Sequence, residues 1–232
     1  MLSAVQTTIV EVVSTVAEVE GFALAGGGAM ILLGLVDRET RDLDFFAREA
    51  AAVNRVTPAV EAALRSAGFE VGRQIDQPGF VRLEVVRGTE GCEVDLGYDA
   101  RLWPTRRHEL GFVISTEELA ADKTLALLGR AAARVFVDVH ALAARFGEER
   151  LCQLAADKDL GFRREYLADA LGKIDRLDRD LFELDAPGYE AVKGWAASWE
   201  GKLLQQVRAL EELDRVRDRN RAKDRGHDPP GF

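Results

Sequence analysis

The chain has 232 residues, 47% of them hydrophobic, and a formal net charge of −9. That length supports one large domain or two small ones with a proper core, and the composition excludes disordered, collagen-like and membrane classes. Two cysteines, Cys92 and Cys152, give neither a disulfide framework nor a metal-finger spacing, and the acidic balance speaks against general nucleic-acid affinity.

Val5, Ile9, Val12, Val13, Val16 and Val19 recur at helical spacing and predict a first amphipathic helix over residues 5–19. No basic region or cleavage site accompanies it, so no secretory signal is expected. Phe22–Ala25 then reads as a short buried strand running into three glycines. The apolar run from Ala23 to Val36 is broken by those glycines and falls short of the roughly 20 residues a membrane helix needs. No membrane contact and a cytoplasmic location are therefore expected. A helix is predicted over 29–35, a strand over 43–46, and a helix over 57–66 with Pro58 suited to its first turn. Three strands follow, over 69–74, 81–86 and 92–98, the last two joined as a hairpin across Arg87–Gly91.

After Pro104 the pattern turns helical. Ser115 and Glu118 have the spacing of a capping box. Helices are predicted over 116–129, 131–146, 148–156, 162–178 and 187–220, punctuated by Gly147, Gly161 and Pro187. The arginines and aspartates of DRVRDRNRAKDRGHD read as a solvated helix end laced with ion pairs. The terminal GHDPPGF reads as frayed. The predicted organisation is α+β: a mixed-sheet domain over 1–112, a helical domain over 113–222, and a flexible tail over 223–232.

Several residue patterns carry chemistry. Gly26-Gly27-Gly28 fits neither G-x-G-x-x-G, since position 31 is Ile, nor a P-loop, since the Walker lysine is missing. Glycines there can still let backbone N–H groups approach a phosphate at a helix start. Asp42 and Asp44 alternate onto one face of a strand. Two carboxylates so placed repel unless a cation sits between them. Mg²⁺, which takes one or two carboxylates plus substrate phosphates, would supply it; the alternative is an exposed strand end satisfied by Arg38 and Arg41. Asp95 lies in an apolar strand context where an unpaired charge is costly. Glu93 shares its face, so the residues alone do not single out Asp95 as a third ligand. Asp138 interrupts the run Val135–Val139 and, if buried, needs Lys123 or an arginine as partner. Lys123 alone reads as an ordinary surface lysine, and His140 as a satisfied helix histidine. Arginines cluster at Arg101, Arg106 and Arg107 with His108, and again at Arg163 and Arg164.

The order of Gly-Gly, D-x-D and a later strand aspartate resembles the nucleotidyltransferase superfamily of the polymerase-beta type. More closely, LAGGGAM…RETRDLDFF followed by ELAADKTLALLGRAAARVFVDVHAL resembles the AbiEii/AbiGii toxin family, which includes the MenT toxins of type IV toxin–antitoxin systems. The resemblance spans residues 20–145. Thr40 and Asp42 match the family's Ser/Thr-x-Asp, Asp44 its second acid, Lys123 the lysine of K-x-x-A-L, and Asp138 the aspartate of D-x-x-x-L. Arg130 and Arg134 fall at commonly basic positions. Gly28 stands where relatives often carry Ser or Thr, and Val135 where they commonly carry an acid. The resemblance implies a nucleoside triphosphate substrate and Mg²⁺ held by Asp42, Asp44 and Asp95. It implies catalytic roles for Asp42, Lys123 and Asp138. Nucleotide contacts would come from Gly26, Gly27, Gly28, Thr40, Lys123 and Arg130. The implied acceptor is the tRNA 3′ end, with a cognate antitoxin encoded nearby. Alternatives are transfer to an aminoglycoside-like small molecule or a protein, or a catalytically faded module that binds a partner.

Overall fold

The computed structural model describes residues 1–225; Gly226–Phe232, within the predicted tail, lie outside the described residues. Helix α1 (Ala4–Ala17) starts on Ser3, whose hydroxyl accepts the Gln6 N–H while the Gln6 side chain accepts the Ser3 N–H. This reciprocal cap satisfies two orphan donors of the first turn. A 3-10 turn over Glu18–Glu20 leads into β1 (Ala23–Ala25), and α2 (Gly26–Leu32) follows directly. The three glycines are thus the first turn of that helix rather than a loop before it.

Next come β2 (Asp42–Ala47), α3 (Ala50–Ser66), and the meander β3 (Glu70–Gln77), β4 (Phe80–Arg87) and β5 (Glu90–Tyr98). Two strands absent from the sequence reading, β6 (Arg106–His108) and β7 (Gly111–Val113), follow as a hairpin. Three residues are too few for alternation to register. The seven strands form one mixed sheet in the order β3-β4-β5-β2-β1-β7-β6, with β2–β5 and β1–β7 parallel. Leu43, Phe45, Val81, Leu83, Val85, Val94 and Leu96 are buried on one face, where α1 and α3 pack. Helix α3 begins at Ala50, not Thr57, so Pro58 lies mid-helix on its exposed side. An interior proline costs about 3 kcal/mol. The stripe Ala52, Val53, Val56, Val60 and Leu64 runs buried across it, and the Thr57 hydroxyl donates to the Val53 carbonyl at 2.7 Å. Burial of roughly 1.5–3 kcal/mol per large aliphatic side chain outweighs the break.

Helices α4 (Thr116–Arg130), α5 (Ala133–Phe146), α6 (Glu148–Lys158), α7 (Arg164–Gly172) and α8 (Ala186–Arg225) complete the chain. The stretch predicted as one helix over 162–178 is α7 plus a 3-10 turn over Lys173–Arg176. The residues form two compact units. One contains Met1–Leu125 and Val137–Leu160; the other contains Ala126–Phe136 and the described residues from Gly161 onward. In the second, α7 packs on α8. Its core sets Phe182 between Phe136 and Tyr189, at 6.3 and 5.1 Å between ring centroids, and buries Trp199 beside Trp195. Among the described residues no helix is long and apolar enough to cross a membrane.

Candidate active site

The polar face of the sheet is built by strand register. In the parallel β2–β5 pair, Asp42 stands opposite Glu93 and Asp44 opposite Asp95. Residues opposed in register share a face, so four carboxylates meet on the side away from Leu43 and Phe45. The β4–β5 pairing adds Arg82, opposite Asp95. Its guanidinium donates to both Asp95 oxygens, at 2.7 and 2.6 Å, and its third nitrogen lies 3.4 Å from Glu93. The hydrogen bonds to Asp95, helped by the charges of Asp95, Glu93 and Asp42 and opposed by burial, hold Arg82 more firmly cationic than usual.

Across β1, Ala25 stands opposite Asp44, and the next residue, Gly26, has φ +58°. A Cβ there would be strained and would run into the Asp44 carboxylate. A Cβ on Gly27 would come within 2.9 Å of Thr40 Oγ1 and 3.2 Å of Arg38 Nη2. The glycines therefore let the start of α2 lie directly against the acid-bearing segment. The Thr40 hydroxyl donates to Asp42 Oδ1 at 2.9 Å, and the Gln6 side chain ties the Thr40 carbonyl to α1 at 2.7 Å. Gly28 faces inward, where a Cβ would meet Leu43 and Leu24.

Asp138 on α5 is buried, with 1% of its side chain exposed, and is shared by two cations. Arg38 grips it with two bonds, Nε at 3.0 Å and Nη2 at 2.9 Å, and Lys123 Nζ lies 2.8 Å from Oδ2. Both cations are buried too, so the trio carries a formal excess of one positive charge beside Gly27. A desolvated cation in such excess favours an anion.

One further acidic group stands out. Among the described residues, Asp99, Glu118 and Asp122 are the three whose ligand oxygens lie close enough to hold a metal. The cation place there is taken by Lys158. Its ammonium lies 2.6 Å from Asp99 and 2.6 Å from Glu118, and it also bonds Asp122. Burial disfavours the ammonium, but Asp122, Asp99 and Glu118 outweigh it and raise its pKa. Burial likewise pushes Asp122 up to about 6, against the pull of Lys158. The other Glu118 oxygen accepts the N–H groups of Leu102 and Trp103. Glu118 therefore does not complete the capping box; Ser115 caps α4 alone, accepting the Glu118 N–H. The group is a clamp joining the residues after β5 to α4 and α6.

A family model described as nucleotidyl transferase AbiEii toxin, type IV toxin–antitoxin system, matches residues 9–219. The chain belongs to the AbiEii nucleotidyltransferase toxin family. It is thus a nucleotidyltransferase of the kind the sequence motifs imply. JHP933 from Helicobacter pylori, a crystal structure, is similar at 20% identity and a TM-score of 0.54, covering 92% of this chain and all of its own. A second H. pylori structure, reported as a candidate nucleotidyltransferase, is similar at 19% identity and a TM-score of 0.53, covering 88% of this chain and 97% of its own. These likenesses show a shared fold. No curated protein matches the chain.

Within this AbiEii-family enzyme, the structure brings Gly26, Gly27, Thr40, Asp42, Asp44 and Asp95 together around the starts of α2 and β2. It joins Lys123 to Asp138, as the residue chemistry allowed. Arg130 is exposed and belongs to the other compact unit, as does Arg134. Two residues escaped the sequence reading as site members. Arg38 was offered there to the Asp42–Asp44 pair, and the structure gives it to Asp138, 100 positions away. Arg82 carried no signal beyond alternating with Val81 and Leu83; only the register of β4 on β5 reveals it.

Proposed function

We propose that the protein is a Mg²⁺-dependent, MenT-like nucleotidyltransferase that acts in the cytoplasm and moves a nucleotide from a nucleoside triphosphate to the 3′ end of tRNA. The observation that carries this reading is the placement of Asp42 and Asp44 on one sheet face, with Gly26 packed against Asp44. The residues fit a divalent ion: two hard carboxylate donors share a face, Thr40 orients Asp42, and the Asp44 oxygen lies in the notch that a Gly26 side chain would fill. Bound there with the triphosphate, the ion would neutralise charge on the phosphates.

The chain's own residues do the rest. Lys123, buried and fixed by Asp138, presents its ammonium to the triphosphate, and Arg38 holds Asp138 so that Lys123 has one position. Preorganised cations of this kind lower the barrier where charge shifts in phosphoryl transfer. Gly26, Gly27 and Gly28 border the phosphates. The acceptor hydroxyl oxygen bonds the α-phosphorus as the bond to the bridging oxygen breaks; pyrophosphate leaves and the hydroxyl proton passes to solvent. Modification of the 3′ end would stop aminoacylation, which suits a toxin, and an antitoxin is its natural partner.

The test is incubation of the full chain with Mg²⁺, labelled nucleoside triphosphates and total tRNA. Label at the tRNA 3′ end is expected, and none without the divalent ion. Label in an aminoglycoside or a protein, with tRNA unlabelled, would overturn the tRNA acceptor and keep the transferase. No label anywhere from a folded protein that binds no nucleotide would leave the partner-binding module.

A further inference from the structure

Four Cα positions stand in one row across the carboxylate face: Arg82 on β4, Asp95 on β5, Asp44 on β2 and Ala25 on β1. Asp95 and Glu93 are the two candidates for a third metal ligand, and one guanidinium engages both. Asp95 is 5% exposed, with each oxygen bonded by Arg82, while the third Arg82 nitrogen faces Glu93. Asp42, by contrast, is bonded by the neutral Thr40 hydroxyl. Bidentate charge-assisted bonds are roughly twice as strong as neutral ones. An ion reaching Asp95 would have to break two of them and strand a partly buried cation.

We propose that Asp95 is a positioning residue that anchors Arg82 rather than a metal ligand. Arg82 is then a tethered cation that engages Asp95 and Glu93 and permanently offsets one of the four carboxylate charges, and the divalent ion is held by Asp42 and Asp44. This rests on the metal-dependent reading above. Because neighbouring strands lie only about 4.7–4.9 Å apart and Asp44 stands opposite Asp95, Asp95 without Arg82 would repel Asp44. Arg82 removes that repulsion before any ion arrives. It also competes with the ion for the same negative field, so its loss must strengthen ion binding.

The test is Mn²⁺ binding to the full chain without nucleotide, read from the electron paramagnetic resonance signal of the free ion. D44N should weaken binding about tenfold or more, as loss of a ligand does. R82Q should strengthen it roughly threefold or more, since two carboxylates lose their fixed counter-charge. The double variant R82M/D95L removes the pair as a unit, a change that buried ion pairs commonly tolerate. It should bind Mn²⁺ within about threefold of the unaltered chain. If the double variant is folded by circular dichroism yet loses Mn²⁺ as D44N does, Asp95 is a ligand and the proposal is wrong. Unchanged affinity in R82Q also overturns it, while D44N still reports the metal site. If no form of the chain binds Mn²⁺, the metal-dependent reading falls and takes this one with it.

Discussion

Asp138 shows how one residue can matter to both folding and chemistry. Two buried cations share its carboxylate, so Asp138→Asn leaves both facing a neutral amide. Removing one partner of a buried ion pair costs about 3–5 kcal/mol. In a chain of this size each kcal/mol moves the melting midpoint by about 2–4 °C. Asp138→Asn should therefore melt roughly 6–20 °C below the unaltered protein. Lys123→Met should be milder, because Arg38 still neutralises Asp138 through two bonds, yet it should lose triphosphate affinity. A scanning-calorimetry comparison with nucleotide titration checks the order; equal melting of the two variants would deny Arg38 its share. Asp44→Ala removes one of the two carboxylates proposed to hold the ion, so nucleotide transfer should fall by about 10²–10³ or more. Asp138 was legible in the sequence because a charge inside Val135–Val139 demands a partner. Which partner was not legible, since Arg38 is remote in sequence and became its neighbour only through folding.

At the scale of elements, the junction of β1 and α2 is where backbone conformation and site chemistry meet. Gly26→Ala forces a Cβ into left-handed backbone and into the Asp44 carboxylate at once. Loss of activity together with a lower melting midpoint is expected. Full transfer activity in Gly26→Ala would show that Asp44 does not need its present position. The clamp around Lys158 gives a pH dependence. Asp122 in the folded chain titrates near 6, above its ordinary 3.8, so the folded state takes up the proton first. Stability from this group is then complete below about 3.8 and lost as pH rises through 6. Asp122→Asn should flatten the melting-midpoint profile between those values; an unchanged profile would assign the dependence elsewhere. The order of helices and strands was legible because apolar periodicity runs through most of them. Where it failed, a competing term won: packing of the α3 stripe overrode Pro58, and β6 and β7 owe their existence to pairing rather than to three residues of pattern.

At the scale of the molecule, a net charge of −9 sets a condition on any RNA acceptor: local basic surface must overcome general repulsion. The arginines that suggested such a surface are not equivalent. Arg101 is half-buried and spends its guanidinium on the carbonyls of Phe46 and Gly21, with burial lowering its pKa. It is a structural residue. Arg163 and Arg164 are bonded within the second unit, to the Phe162 carbonyl and Gln206. Arg106 and Arg107, on β6, are exposed and paired with Glu117 and Glu18. Exposed pairs of that kind are worth about 0–1 kcal/mol, so a phosphate can displace either carboxylate at little cost. If tRNA is the acceptor, replacing both Arg106 and Arg107 with Ala should weaken tRNA labelling and flatten its dependence on salt by about one unit of slope per lost phosphate contact. Nucleotide binding should not change, because neither residue touches the acid-bearing face. Glu18→Gln with Glu117→Gln should move the other way, strengthening labelling at a given salt concentration by freeing the two cations. Labelling measured across a potassium chloride series decides it. Unchanged slopes in both double variants would remove β6 from the path of the RNA and send the search for its phosphate contacts to other surfaces of the chain.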